Sequence, residues 1–143
     1  PAFQENRKRA VSIERFLPLA NIKNVQLFSL QKGAGEEQLG QSGAQGLIPE
    51  LGPLMGDFAD TVATIAQLDL IIMTDSSVAH LAGSAGVPVW NLLHYRPYWL
   101  YGMEGETTPW YPSMRLIRQP APGDWNSVFS RVAADLEKLA CPK

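Results

Sequence analysis

Residues 68–93 read LDLIIMTDSSVAHLAGSAGVPVWNLL. The run from Leu70 to Met73 is apolar without alternation, as in a strand of a parallel sheet covered on both faces. An acid and two hydroxyls follow at once, and the spacing predicts a helix over 76–85. Gly86 ends it, and VPVWNLL starts a further strand. This strand–helix–strand order sets the class of the whole chain.

Outward from this centre the alternation continues. On the N-terminal side, a helix from Asp57 to about Leu68 places Phe58, Val62 and Ile65 along one face. Before it, GQSGAQGLIPELGPLMG (40–56) is rich in glycine and proline and has room for a short strand near Leu47 and Ile48. NVQLFSL (24–30) reads as a strand entering a glycine turn and a glutamate-led helix. Ser12 can cap a helix bearing Ile13, Phe16, Leu17 and Ala20, with Pro18 weakening its interior. On the C-terminal side, a long polar and aromatic loop spans His94 to Pro112, Met114–Ile117 reads as a last strand, and Asp124 starts a final helix. In that helix Trp125, Val128, Val132, Leu136 and Leu139 form one stripe. Strands alternating with helices imply a doubly wound α/β domain with a Rossmann-like parallel sheet.

In such sheets ligands settle beyond the carboxyl ends of the strands. Asp75, Ser76 and Ser77 stand there. The start of a helix offers unpaired backbone N–H groups and a positive dipole end, which together suit a phosphate, and serine hydroxyls add donors without bulk. On a helical wheel Val78, Leu81, Ala82 and Ala85 share one face, expected to pack on the sheet. Ser77, His80 and Ser84 fall opposite, which leaves His80 one turn in and able to reach an anion. Asp75 has the wrong charge for a phosphate and suits a cap or a sugar hydroxyl. Asp and Ser before a helix are also ordinary caps, and a histidine off the core is common on a solvated helix face.

Bulk properties exclude several classes. With 143 residues, 45% hydrophobic and 18% charged, the chain is long enough for one core and is composed like a globular protein. Its net charge of -2 speaks against nucleic-acid binding by bulk electrostatics. Cys141 is the only cysteine, so neither an intrachain disulfide nor a cysteine metal site can form. No apolar stretch approaches the roughly 20 residues of a membrane span, and no stretch resembles a signal peptide, so a cytoplasmic location is expected.

The stretch MGDFADTVATIAQLDLIIMTDSSVAHLAGSAGVPVWNLL (55–93) resembles the C-terminal half of bacterial glycosyltransferases of the heptosyltransferase type, with a nearer likeness to relatives fused to tetratricopeptide repeats. VQLFSLQKGAGEEQL (25–39) and TPWYPSMRLIRQPAPGDW (108–125) are similar to the same group. The resemblance implies the donor-binding half of a GT-B fold. There an aspartate, two small residues and a histidine three positions later open the helix that holds the diphosphate of a nucleotide sugar. Asp75, Ser76, Ser77 and His80 match those positions. It also implies that the loop at Gln31, Lys32 and Gly33 and the loop from Leu54 to Phe58, with Met55 and Asp57, flank the base and ribose. Lys32 can equally be a solvated lysine and Met55 a core residue.

Inverting, metal-independent transfer without a cofactor is implied as well, and the absence of an aspartate-x-aspartate pair agrees with it. The catalytic base in many relatives belongs to an N-terminal acceptor domain, so no catalytic residue is assigned. No apolar run precedes Ser12 that could serve as a central strand. The expectation is therefore of a longer native protein, a sheet lacking its first strand, and possible self-association through exposed strand edges. Tyr95, Tyr98, Trp99, Tyr101, Trp110 and Tyr111 crowd the loop from His94 to Pro112. Its length, with Gly102 and Gly105, predicts more mobility than the sheet and a place at the crevice rim, although a self-packed cover of the sheet edge fits too. The basic run Asn6–Arg9 can help hold an anion or simply be solvated. The alternative to an enzyme module is a catalytically inactive nucleotide-binding or interaction module on the same fold.

Overall fold

The computed structural model describes residues 10–32 and 36–141, so Gly33 and the basic run at 6–9 lie outside the described residues. In chain order the regular elements are α1 (Glu36–Ser42), α2 (Phe58–Ile65), β1 (Ile71–Thr74), α3 (Ser77–Ser84), β2 (Val89–Leu93), β3 (Met114–Arg118) and α4 (Trp125–Ala140). They fall into two compact units, one containing Phe58–Val128 and the other Val11–Asp57 with Phe129–Lys143. No described helix is long and apolar enough to cross a membrane.

In the second unit the start of the chain departs from the sequence reading. Ser12 does cap, its hydroxyl accepting from the Glu14 amide at 3.3 Å. What it caps is a 3-10 turn, Ile13–Arg15, followed by another over Leu17–Asn21. Pro18 accounts for the change: it has no amide proton and its ring collides with the carbonyl four residues back, which breaks or kinks an α-helix at a cost of about 3 kcal/mol. Leu19, not Ala20, is the buried residue of this segment. The expected strand at 24–30 shrinks to one parallel bridge between Ser29 and Glu50. Its bonds run from the Ser29 amide to the Pro49 carbonyl (2.9 Å) and from the Leu51 amide to the Ser29 carbonyl (2.8 Å). The amides of Leu47 and Ile48 turn back onto the Ala44 carbonyl instead of pairing. Leu39, Ala44 and Ile48 make a small core, with Ile13, Leu17 and Leu27 packed against it. Phe129, Val132 and Leu136 of α4 are buried, while Leu139 is exposed.

The first unit is a three-stranded parallel sheet in the order β1-β2-β3, a small Rossmann-like α/β arrangement. Ile71 pairs with Val89, and Val89 with Met114. Val89, Leu92 and Leu93 of the central strand are fully buried, as are Leu116 and Ile117 of β3. Burying each such side chain stabilises the fold by about 1.5–3 kcal/mol. Cover on both faces is thus a property of β2. In β1 only Ile71 is buried and the next three residues are half-buried.

Helix α3 packs against β1 and β2. Its buried face is Ala79, Ala82 and Gly83, with Val78 and Leu81 half-buried and Ala85 exposed. The wheel drawn from hydrophobicity is therefore rotated, because small residues let the helix backbone come close to its neighbours. The helix ends in a Schellman motif: the Gly86 amide bonds the Gly83 carbonyl at 3.2 Å and the Val87 amide bonds the Ala82 carbonyl at 3.1 Å. That turn requires the left-handed φ of 73° at Gly86, which a side chain would strain. In α2, Thr61 and Ile65 are buried, and Phe58 is exposed instead of packed.

Candidate functional site

Asp75 follows directly on β1, at its carboxyl end, and is buried at 9% exposure. The N-cap of α3 is Ser76, in extended conformation, and its side chain makes no capping bond. Its hydroxyl is directed at the Met73 sulfur, 3.8 Å away. Ser77 is exposed. One turn later His80 leans back toward Asp75, with Nε2 3.7 Å from Oδ1. The spacing in the sequence did bring this acid and this histidine together.

His80 is not free, however. Its Nδ1 lies 3.0 Å from the Tyr111 hydroxyl and its Nε2 lies 3.2 Å from the Tyr101 hydroxyl. Tyr101 in turn donates to Asp75 Oδ1 at 3.2 Å. The Tyr101 ring stacks on the imidazole at 18° between planes, and the Tyr111 ring meets it edge-on at 65°. Burial above all, and then the Asp75 charge, push the Tyr101 phenol well above its ordinary range, while a hydrogen bond from Asn91 acts in the opposite direction. Asn91, fully buried at the middle of β2, also leaves its Oδ1 without a partner in this network.

Both tyrosines come from the long loop, which is tied down at several points. Tyr101 closes a 3-10 turn, Trp99–Tyr101, and is 3% exposed. Arg118, the last residue of β3, donates to four loop carbonyls: Tyr101 (2.6 Å), Gly105 (2.8 Å), Gly102 (3.0 Å) and Glu104 (3.2 Å). Farther on, Thr107 bridges to Arg115, and Glu106 pairs with the Arg115 guanidinium at 3.2 Å. Gln119 Oε1 accepts from the amides of both Tyr95 and Gly123 at 3.0 Å. Tyr111 is seated on Gly83: a Cβ there would lie 2.7 Å from the ring's Cγ. The absent side chain lets the ring lie on α3 and deliver its hydroxyl to His80, three residues earlier. These contacts match the self-packed cover. Trp99, Trp110, Tyr98 and Tyr95 nonetheless remain exposed.

Gln31, Lys32, Met55 and Asp57 belong to the other unit. There the Lys32 ammonium donates to the Met55 carbonyl. The Met55 side chain is core, at 2% exposure, so only its carbonyl meets a polar group. Gln31 and Asp57 are exposed. The Gln31 carbonyl sits where a Cβ on residue 52 would fall, 1.8 Å away, so that this approach depends on Gly52. An open depression in the same unit, lined by Pro18, Asn21, Ile22, Lys23, Glu137 and Cys141, holds none of the residues picked out by the sequence. Among the described residues no group of three or more His, Cys, Asp or Glu converges as a metal site would require.

Tyr101, Tyr111, Asn91, Arg118 and Gly83 were not assigned from the sequence. One signal was present for the tyrosines, since the loop leaves the carboxyl end of β2, the edge at which Asp75 stands.

The chain is 31% identical to Protein FlbA of Caulobacter vibrioides over 127 residues, which are 86% of this chain and 21% of that protein. It thus spans about a fifth of the length of this relative, given that 21% share. No family description matches the chain, and no solved structure does.

Proposed function

We propose that this chain is the donor-binding part of an inverting, metal-independent glycosyltransferase of GT-B type, similar to the heptosyltransferases. A nucleoside-diphosphate sugar docks its phosphates at the start of α3, against the Ser76 and Ser77 hydroxyls and the first-turn amides. Asp75 and His80 stand beside them, and acceptor and catalytic base come from a separate N-terminal domain. One observation carries this reading: a parallel strand ends at Thr74, just before Asp75, a helix begins at Ser77, and His80 folds back onto that junction. The match of Asp75, Ser76, Ser77 and His80 to the diphosphate-binding positions of that group supports it.

The test is titration with a panel of nucleoside diphosphates, followed by calorimetry. Ser77→Ala removes one hydrogen bond to a charged group, worth about 1.5–3 kcal/mol, and His80→Ala removes the ring that orients this junction, so each is expected to weaken binding about tenfold or more. Parent-like affinity in both His80→Ala and Ser77→Ala moves the site elsewhere. The exposed Trp99 (73%), Trp110 (59%) and Tyr98 (50%) favour a second reading, a catalytically inactive nucleotide-binding or protein-interaction module. Nucleotide binding without sugar transfer, measured in the full-length protein, distinguishes it from the first.

A further inference from the structure

The four-residue network at α3 holds more information than proximity, because its protons can be counted. A tyrosine hydroxyl has one proton, and an ionised carboxylate only accepts. Tyr101 gives its proton to Asp75 Oδ1. Toward His80, 3.2 Å away, its oxygen can therefore only accept, and Nε2 must carry the hydrogen. The same Nε2 faces Asp75 Oδ1 at 3.7 Å, which favours a hydrogen at that position as well. A neutral imidazole has one N–H, so Nδ1 is left as an acceptor, and the Tyr111 hydroxyl 3.0 Å away is its donor.

We infer that Tyr101 and Tyr111 are positioning residues that hold His80 in a single tautomer, Nε2–H. The hydrogen bonds then run one way, from Tyr111 through His80 and Tyr101 to Asp75. The packing is built for this. Gly83 makes room for the Tyr111 ring on the helix. Arg118 holds the carbonyl of Tyr101 itself at 2.6 Å. The stacked and edge-on tyrosine rings fix the imidazole plane from two sides.

This inference rests on the donor-site reading only for its consequence. A neutral His80 so arranged has no N–H to spare for a phosphate, so the ring orients its surroundings, and direct donors come from the start of α3. The tautomer itself can be read without any ligand. The experiment is nitrogen NMR of histidine-labelled protein at about pH 8, where free histidine is neutral. The His80 signals are assigned by their loss in His80→Ala. The parent is expected to show the full separation of one protonated and one bare ring nitrogen, with a persistent Nε2–H proton. Tyr111→Phe, which keeps the ring on Gly83, should bring the two shifts toward the tautomer average. Tyr101→Phe should make the Nε2–H proton exchange too fast to see.

Both variants are expected to keep the parent's near-ultraviolet circular dichroism, which separates loss of the hydroxyl from loss of the fold. Tautomer-averaged shifts in the parent, an Nδ1–H parent, or parent-like spectra in both variants overturn the assignment. Titration with the nucleoside diphosphates uridine, guanosine and adenosine diphosphate forms a separate arm. There Tyr111→Phe is expected to lower the affinity of whichever one binds by about fivefold, the worth of one modest hydrogen bond. A parent that binds none of them overturns the donor-site reading and leaves the tautomer result to stand on its own.

Discussion

Replacing Gly83 by alanine sets two effects of known size against each other. In an exposed helix interior the change is favourable by about 0.8–1 kcal/mol, because glycine leaves the backbone too free. At this position the new Cβ would sit 2.7 Å from Tyr111 Cγ, 2.9 Å from Cδ1 and 3.1 Å from Cβ. Carbon atoms prefer separations of about 3.5–4.0 Å, and a χ1 change that swings Cγ and Cδ1 away would carry the hydroxyl off His80 while leaving Cβ where it is. Overpacking of this kind costs about 1–3 kcal/mol, and displacing Tyr111 also loses its bond to His80, worth about 0.5–1.5 kcal/mol. The unfavourable side wins, by a net of about 0.5–3.5 kcal/mol. Urea unfolding followed by tryptophan fluorescence measures the difference. The same substitution made in Tyr111→Ala should turn favourable by about 0.8–1 kcal/mol, since only the helix term is left. A Gly83→Ala protein more stable than its parent would refute the close approach of ring and helix.

Arg118→Met keeps the apolar stem and removes all four carbonyl bonds; because water can replace the exposed ones, the loss is expected to be about 2 kcal/mol in urea unfolding. Hydrogen exchange at the Tyr101 and Gly102 amides, which close the 3-10 turn, should speed up at least severalfold, and unchanged exchange would show that the guanidinium holds nothing. The raised Tyr101 pKa makes stability pH-dependent on the alkaline side. Above about pH 10 the unfolded tyrosine loses its proton while the folded one keeps it, so stability falls as pH rises. Below that range both states are protonated and the contribution is fully present. Tyr101→Phe should flatten that alkaline slope, and an identical slope in parent and variant would count against the buried phenol.

The α/β class was legible because its signals are local. An apolar run, a glycine stop and a second apolar run lie within 26 residues, and Asp75 and His80 are neighbours through helix geometry alone. What escaped the sequence depends on distant partners. Tyr101 and Tyr111 meet His80 from 21 and 31 residues away. A periodicity reading gives glycine no weight, yet Gly83 is on the buried face because Tyr111 covers it, and this turned the predicted wheel. Pro18 reads as a weak point within one helix, whereas its missing amide and its ring divide the segment into two short 3-10 turns. The run at 24–30 has strand composition, but a strand is defined by its partner, and only Ser29 finds one.

The unbroken order of the sheet also bears on how the protein assembles. Every strand pairs with the next one in the chain: Ile71 reaches Val89 across 18 residues, and Val89 reaches Met114 across 25. Closing the longer connection costs only about 0.3 kcal/mol more in chain entropy, so length alone hardly decides which forms first. The intervening structure does. Eight residues of the shorter connection are fixed as α3, whereas the longer one is completed only when Arg118, in the strand it leads to, gathers the loop carbonyls. The β1–β2 pairing should therefore mature ahead of β2–β3, with the Ile71 amide protected before that of Val89 in pulsed exchange during refolding. Formation of the tyrosine network around His80 would then be among the last events, since it waits on the loop that the third strand secures.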